Sequence, residues 1–466
     1  MKCFTIYQKA DRWLTRWLSG SIFTWQQILR MTVPYVLDSL SIMLIGMLIT
    51  ALISKNGETS VAAVSLVGPI TNLVVCMFNG IGAGGTVVVA QCCGTKDPEQ
   101  VSKASGQVIW LTVLIGIVSC LPMLIFPRAV LLALYPAAEP AVLDKASVYL
   151  AGSAWSILPF TVYTAIYSVL RGIGESKKCL FLSVVINVAY LVFSVVFLNW
   201  LNLDIQGSVY ALVLARVLGA LAAAVVLFFW RPPIAFTLRR LFAFDRKLLR
   251  STLKVSIPFG MEQIFSTCGN IVAGVYMVHL GTTAIATNSI ANSLLGVLTA
   301  AASSAGNLAV TVVGRCVGAG ERQEAKRYGR STVMISLLLL ALTAAVFYPA
   351  LPLLLRQYNP TPEIYRMSVR VLLISLPVLL AFWPISNTMP YTLRAAGDTM
   401  FPSVFSLAVM WCVNIGLGYL LSVHLGLGLI GVWMSTWLSW TVRTLGFALR
   451  FRGKNWIRKA ALSGKS

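Results

Sequence analysis

The chain has 466 residues, of which 58% are hydrophobic and only 11% charged, and its mean hydropathy is +0.80. Soluble globular chains are about 25% charged, so this composition excludes a water-soluble domain and points to a helical protein that crosses a membrane many times. The net charge of +22 would suggest a nucleic-acid partner in a soluble protein. Here the basic residues lie in short loops between apolar runs, where they set topology, and no nucleic-acid partner is expected.

Residues 1–30 carry Lys2, Lys9, Arg12, Arg16 and Arg30 and lack the apolar core of a cleavable secretion signal. The short apolar piece 17–25, broken by Gly20, predicts an amphipathic helix on the cytoplasmic face. Twelve apolar runs follow, at 31–53, 61–87, 107–127, 146–169, 179–200, 205–229, 253–279, 283–313, 331–355, 369–392, 400–423 and 427–449. Each is long enough to cross a hydrocarbon core about 30 Å thick as a helix. The expected plan is a cytoplasmic N-terminus (1–30), a first lobe of six spans (31–230) and a cytoplasmic linker (231–252). A second lobe of six spans (253–449) and a basic cytoplasmic tail (450–466) complete it. With the N-terminus inside, the cytoplasmic segments hold 30 Lys and Arg and the outer segments six, with Arg216 inside a span. That bias predicts both termini in the cytoplasm. The nine cysteines include no CxxC pair with histidine support, so neither a disulfide framework nor a metal site is read from them.

The two lobes repeat one another. AQCCGTKDPEQVSKASG at 90–106 answers GRCVGAGERQEAKRYGR at 314–330, pairing Cys92 with Cys316, Gly94 with Gly318, Asp97 with Glu321 and Lys103 with Arg327. Pro34 and Pro258, Asp38 and Glu262, and Gly57 and Gly281 share the same offset of 224 residues. LRGIGES at 170–176 answers LRAAGDT at 393–399, and ARVLG at 215–219 echoes VRTLG at 442–446. Six spans per half bring both halves into the membrane from the same side, a parallel repeat about an axis along the membrane normal. In the repeated turn, Gly94 and Gly318 are expected to close a helix in left-handed geometry. The acids that follow are expected to open the next helix, and Lys103 and Arg327 to face anionic headgroups.

Four places give the chain a family resemblance: Pro34 with NGETSVAAVS (56–65), AQCCGTKDPEQVSKA (90–104), LRGIGESKK (170–178) with its twin LRAAGDTMFP (393–402), and the tail RFRGKNW (450–456). Their order and spacing resemble the MATE family, the multidrug and toxic compound extrusion transporters, over almost the whole chain. The resemblance implies an all-α integral membrane protein of twelve helices in two six-helix lobes. It also implies efflux driven by sodium or proton entry, in a bacterial cytoplasmic membrane. A monomer is expected, handling a small-molecule substrate within the lipid bilayer, with no cofactor beyond the coupling ion.

The chain departs from that family at its coupling carboxylates. By the resemblance, the acid late in the first helix falls at Ile49, and the acid seven residues after the fifth-helix Asn187 falls at Ser194. A third acid, in the tenth helix of some members, falls at Trp383. The acids that remain well inside spans are Asp38 and Glu262, each four residues after a proline. An intramembrane charge is costly, so each is either a coupling group or a paired structural charge. Water loss disfavours the charged form of a carboxyl, which makes a proton the expected coupling ion. Sodium would want several oxygen ligands.

Asn187, Ser194, Asn270, Asn387, Trp383 and Arg216 are the candidates for the substrate cavity. The commoner fate of an arginine such as Arg216 is to snorkel to the membrane surface. Most of the asparagines would be interhelical hydrogen-bond partners. The glycines of NGIGAGG (79–85) read first as close helix packing. The expected function is antiport of small amphipathic or cationic drugs and metabolites by rocking of the lobes. The second reading is a flippase for lipid-linked sugar precursors, which would need several basic residues in the cavity. An enzyme is not expected: His279 and His424 lie in different lobes, with no nucleophile or metal-ligand cluster beside them.

Overall fold

The computed structural model describes residues 15, 17–53, 58–135, 140–201, 203–230, 245–453 and 455–459. The helices are α1 (Trp25–Ile53), α2 (Glu58–Gly94), α3 (Pro98–Ile125), α4 (Pro127–Leu134), α5 (Pro140–Ile173), α6 (Ser176–Ser194) and α7 (Asp204–Phe228). They continue with α8 (Arg246–Val278), α9 (Thr282–Gly318), α10 (Arg322–Arg356), α11 (Pro362–Ala395), α12 (Met400–Val409) and α13 (Gly428–Arg452). The fifth span of each lobe ends in π-helix, at Val195–Trp200 after α6 and at Met410–Leu417 and Leu420–His424 after α12. Ten helices among the described residues are long and apolar enough to cross a membrane. The other two expected spans form as α8 and α13, where Glu262, Gln263 and Asn270, or Arg443 and a run of Ser, Thr and Trp, dilute the hydropathy. Helices overrun the expected spans: α1 starts six residues before 31, and α8 extends into the expected linker as far back as Arg246. Of that linker, 231–244 lies outside the described residues.

Contacts divide the chain into two compact units, Leu40–Ile264 and Met1–Ser39 with Phe265–Ser466. The division cuts the first helix of each repeat: α1 after Ser39 and α8 after Ile264. In the unit Leu40–Ile264, α2 packs along α5, and α5 also packs on α3 and α7. Its core includes Phe78, Leu150, Ile157, Leu170 and Leu182, all fully buried. The glycines of NGIGAGG let the first half of α8 press against α2. A Cβ on Gly80 would stand 2.5 Å from Gly260 Cα, and one on Gly84 2.7 Å from Ser256 Cα. Ser256 Oγ donates to the Ile81 carbonyl at 3.2 Å across the same contact. Small residues at i and i+4 are how membrane helices approach backbone to backbone.

In the other unit, α9 packs along α10 and α11, and α13 along α11. The segment before α1 does not lie free on the membrane surface. Leu18, Phe23 and Ile28 are buried in the core with Tyr328 and Trp456. The Tyr328 hydroxyl donates to the Phe23 carbonyl at 2.8 Å and accepts from the Phe23 N–H at 3.0 Å. Ser331 Oγ donates to the Trp17 carbonyl at 2.6 Å. Within α1, Tyr35 is fully buried with its hydroxyl 3.4 Å from Thr311 Oγ1 of α9.

The repeated turns fold alike, with one correction to the sequence reading. Gly94 and Gly318 are the last helical residues of α2 and α9. The left-handed residues come two positions later, at Lys96 (φ 59°) and Gly320 (φ 80°), themselves 224 apart. Those two extra residues let the carbonyls of the last turn find donors in the following backbone before the chain reverses. Asp97 caps α3 by accepting from the Glu99 and Gln100 N–H groups, whereas Glu321 makes no side-chain cap on α10. Lys103 pairs with Glu99 at 2.8 Å and Arg327 with Glu324 at 3.9 Å, so each basic residue has an acid on its own helix. The second repeated turn is alike in both lobes. Gly174 (φ 85°) and Gly397 (φ 88°) are left-handed, and Glu175 N and Asp398 N donate back to the Leu170 and Leu393 carbonyls at 2.9 and 3.1 Å. This pattern is a Schellman closure, which satisfies the last carbonyls of a helix. The eight cysteines among the described residues are free thiols, with Cys92 and Cys316 buried.

Candidate substrate and coupling sites

A cavity of about 230 Å³ lies within the unit Leu40–Ile264, between α5, α6 and α7. Phe160 and Tyr163 come from α5, Ser183, Ile186, Asn187 and Tyr190 from α6, and Leu212, Ala215 and Arg216 from α7, with Ile42 closing one side. The helical spacing explains this convergence. Ser183, Asn187 and Tyr190 recur at i, i+4 and i+7, and Leu212, Ala215 and Arg216 at i, i+3 and i+4, so each set shares one face. Asn187 Nδ2 donates to the Ser183 carbonyl at 2.8 Å and to Ser183 Oγ at 3.2 Å, which fixes the amide at the wall.

Arg216 does not snorkel. It is the thirteenth residue of the 25-residue α7, and its Nη1 donates to Ser156 Oγ of α5 at 2.6 Å. Its guanidinium carbon lies 4.3 Å from the centre of the Phe160 ring. Cation–π contact and one hydrogen bond to a neutral hydroxyl hold the charge at mid-helix depth. Phe160 stacks on Tyr163 (5.8 Å, 8° between planes) and Tyr163 on Tyr167 (5.7 Å, 23°) along one face of α5. Arg171 closes the far end of that ladder, 5.0 Å over Tyr167 with Nη2 donating to its hydroxyl at 3.3 Å. Among the described residues, no Asp or Glu lines the cavity.

The other candidates sit elsewhere. Ser194 is buried at the end of α6, two turns past Asn187, and is not among the cavity-lining residues. Trp383 is buried in the core of the second unit with Leu379 and Trp433. Asn387 is half-buried on the same helix, and Asn270 is exposed on α8. Asp38 is 2% exposed, whereas Glu262, its repeat counterpart, is only half-buried. Asp38 belongs to one unit and Glu262 to the other, each within two residues of the point where its helix passes between units. The aromatic residues of the cavity, Phe160, Tyr163 and Tyr190, were not singled out from sequence. For Phe160 and Tyr163 the signal is an i, i+3, i+7 aromatic row on α5 that ends at Tyr167, but such rows more often form core.

A family model, MatE, matches residues 34–196 and again 258–420. The chain belongs to the MATE family. Both ends of the two matches differ by 224 residues, the offset read from the repeated turns. Two relatives come from Bacillus subtilis (strain 168). The transporter YisQ is 24% identical over 434 residues, covering 92% of this chain and 94% of the relative. The probable multidrug resistance protein YoeA is 26% identical over 421 residues, covering 86% and 90%. Among solved structures, a MATE crystal structure in complex with MaL6 superposes with a TM-score of 0.84 at 19% identity, covering 91% of this chain and 96% of that one. This MATE chain therefore has the twelve-helix, two-lobe fold of its structural neighbours and is a multi-pass membrane transporter rather than an enzyme.

Proposed function

We propose that this MATE chain is a secondary-active exporter of small amphipathic molecules, driven by proton entry and working by movement of one lobe against the other. The observation that carries the export reading is the family match across both halves, together with relatives named as multidrug resistance proteins. The coupling reading is supported by Asp38, a carboxyl buried within a span four residues after Pro34. An ion drives transport only if it binds one state of the transporter better than the other. A carboxyl that is buried in one state and wet in another meets that requirement. Glu262 is less buried, so Asp38 is the stronger of the two candidates. A monomer is part of the proposal, and so are cytoplasmic termini, the latter supported by the 30-to-6 distribution of basic residues.

The cationic part of the expected substrate range is not carried forward, because the cavity holds Arg216 and, among the described residues, no acid. The flippase reading has less support. A diphosphate needs several basic partners, and Arg443, the repeat echo of Arg216, donates instead to the Ser406 carbonyl at 3.1 Å.

Reconstitution tests the proposal. Proteoliposomes holding the full chain should extrude a neutral amphipathic dye under an imposed pH gradient and not under a sodium gradient alone. Export under neither gradient would overturn the secondary-active reading, and export under sodium alone would overturn proton coupling.

A further inference from the structure

We propose that the α5–α6–α7 cavity is an oxyanion subsite, and that the molecules handled there carry a single carboxylate or phosphate on an aromatic body. That such molecules are exported rests on the reading above, while the subsite itself stands on the cavity.

The charge of the cavity is the first argument. Among the described lining residues Arg216 alone is charged, and no carboxylate balances it. A cation in the middle of a membrane-spanning helix is costly to keep and is a functional site by default. An organic cation entering this space would face like charge, whereas an oxyanion would complete a pair.

Donor geometry is the second. A guanidinium presents five N–H donors in a planar fork. Among the described residues Ser156 Oγ takes one of them, and the guanidinium carbon lies 4.3 Å from the centre of the Phe160 ring. The ring and the hydroxyl anchor the guanidinium beside the cavity, and its fork matches carboxylate and phosphate oxygens in pairs. Tyr190 and Ser183 of α6 line the same cavity as further polar residues.

Size and shape are the third. A protein cavity of about 150 Å³ accepts benzene. At about 230 Å³ this one takes an aryl ring with one oxyanion, and it is too small for a drug-sized molecule as a whole. Phe160 and Tyr163, stacked on one another and both lining the cavity, give an aryl group a wall to lie against. An anionic aryl compound thus meets Arg216 with an aromatic wall beside it.

Equilibrium binding to the purified full chain in zwitterionic nanodiscs tests this, using 1-naphthoate, 1-naphthyl phosphate and 1-naphthylmethylammonium as matched probes. At least one anion should bind ten-fold or more tightly than the ammonium, and which anion leads tells carboxylate from phosphate. Arg216→Gln should remove the preference by weakening the anion ten-fold or more while leaving the ammonium no weaker. Arg216→Lys should retain part of the anion affinity, because the charge stays and the fork is lost. Should Arg216→Gln not fold, the wild-type comparison and Arg216→Lys still decide. Ammonium binding equal to or tighter than both anions would overturn the proposal, as would unchanged anion affinity in Arg216→Gln. Dye export in proteoliposomes separates the two readings. Export without anion preference removes only the subsite, and anion preference without export under any gradient removes only the exporter reading.

Discussion

Arg216 donates to Ser156 Oγ across the middles of α7 and α5 at 2.6 Å. Its echo Arg443 sits at the matching place in the second repeat but bonds a backbone carbonyl, that of Ser406. One sequence signal thus serves two ends: Arg216 faces a cavity and Arg443 ties α13 to α12. Removing an acceptor from a charged donor away from bulk water costs about 1–2 kcal/mol. Ser156→Ala should therefore destabilise the folded protein by about that amount in detergent unfolding. Thr441→Ala, which removes only an intrahelical bond to the Trp437 carbonyl, should change stability by less than about 0.5 kcal/mol.

Asp38 and Glu262 should behave differently although they are repeat counterparts. Asp38→Asn and Glu262→Gln should both express and insert. Asp38→Asn should abolish pH-driven export while a bound dye is still retained, because the neutral amide cannot exchange a proton. Glu262→Gln, at a half-buried position, should keep at least half of the export rate. Wild-type export rates in the double variant would show that neither carboxyl couples transport and that both are structural charges.

Gly84 faces Ser256 so closely that a methyl group cannot be accommodated without moving backbone. Overpacking of this kind costs about 1–3 kcal/mol. Gly84→Ala should lower the unfolding midpoint accordingly. Gly274, on the same α8 but with no heavy atom within 4 Å of an added Cβ, should tolerate alanine or gain about 0.5–1 kcal/mol from the lost backbone freedom of glycine. A pair of thermal unfolding curves checks both signs at once.

Asp398 and Glu175 occupy the same place in the two repeated turns, yet their partners differ. Asp398 is 1% exposed and accepts from Arg450 Nε at 2.7 Å, tying the start of α12 to the end of α13. Glu175 pairs with Lys178 three residues on at 3.6 Å. Breaking a pair whose carboxylate is fully buried costs more than breaking a local i, i+3 pair whose carboxylate is partly exposed and whose contact is longer. Asp398→Asn should cost about 1–3 kcal/mol, with the tail that follows Arg450 becoming protease-sensitive. Glu175→Gln should cost less than about 1 kcal/mol and leave the tail unchanged.

The membrane class, the two six-span lobes, the parallel repeat and the family were all determined by the sequence itself, because each rests on local or periodic signals. Apolar run length is set by bilayer thickness, and a gapless offset survives any packing. The glycines of NGIGAGG were legible as close packing for the same reason, since a missing Cβ permits little else inside a membrane helix. Asn187 could be placed at a site by resemblance alone. The tertiary structure decided what each charged or aromatic side chain faces. Sequence gives Arg216 a depth, but only the packing of α7 on α5 brings Ser156 and Phe160 within reach and makes inward burial better than snorkelling. The same holds for Asp38 and Glu262, equal in the repeat and unequal in burial, and for Lys96 and Gly320, where the left-handed turn falls two residues past the glycines that seemed to mark it. A side chain's surroundings come from residues far away in the chain, and no local pattern records them.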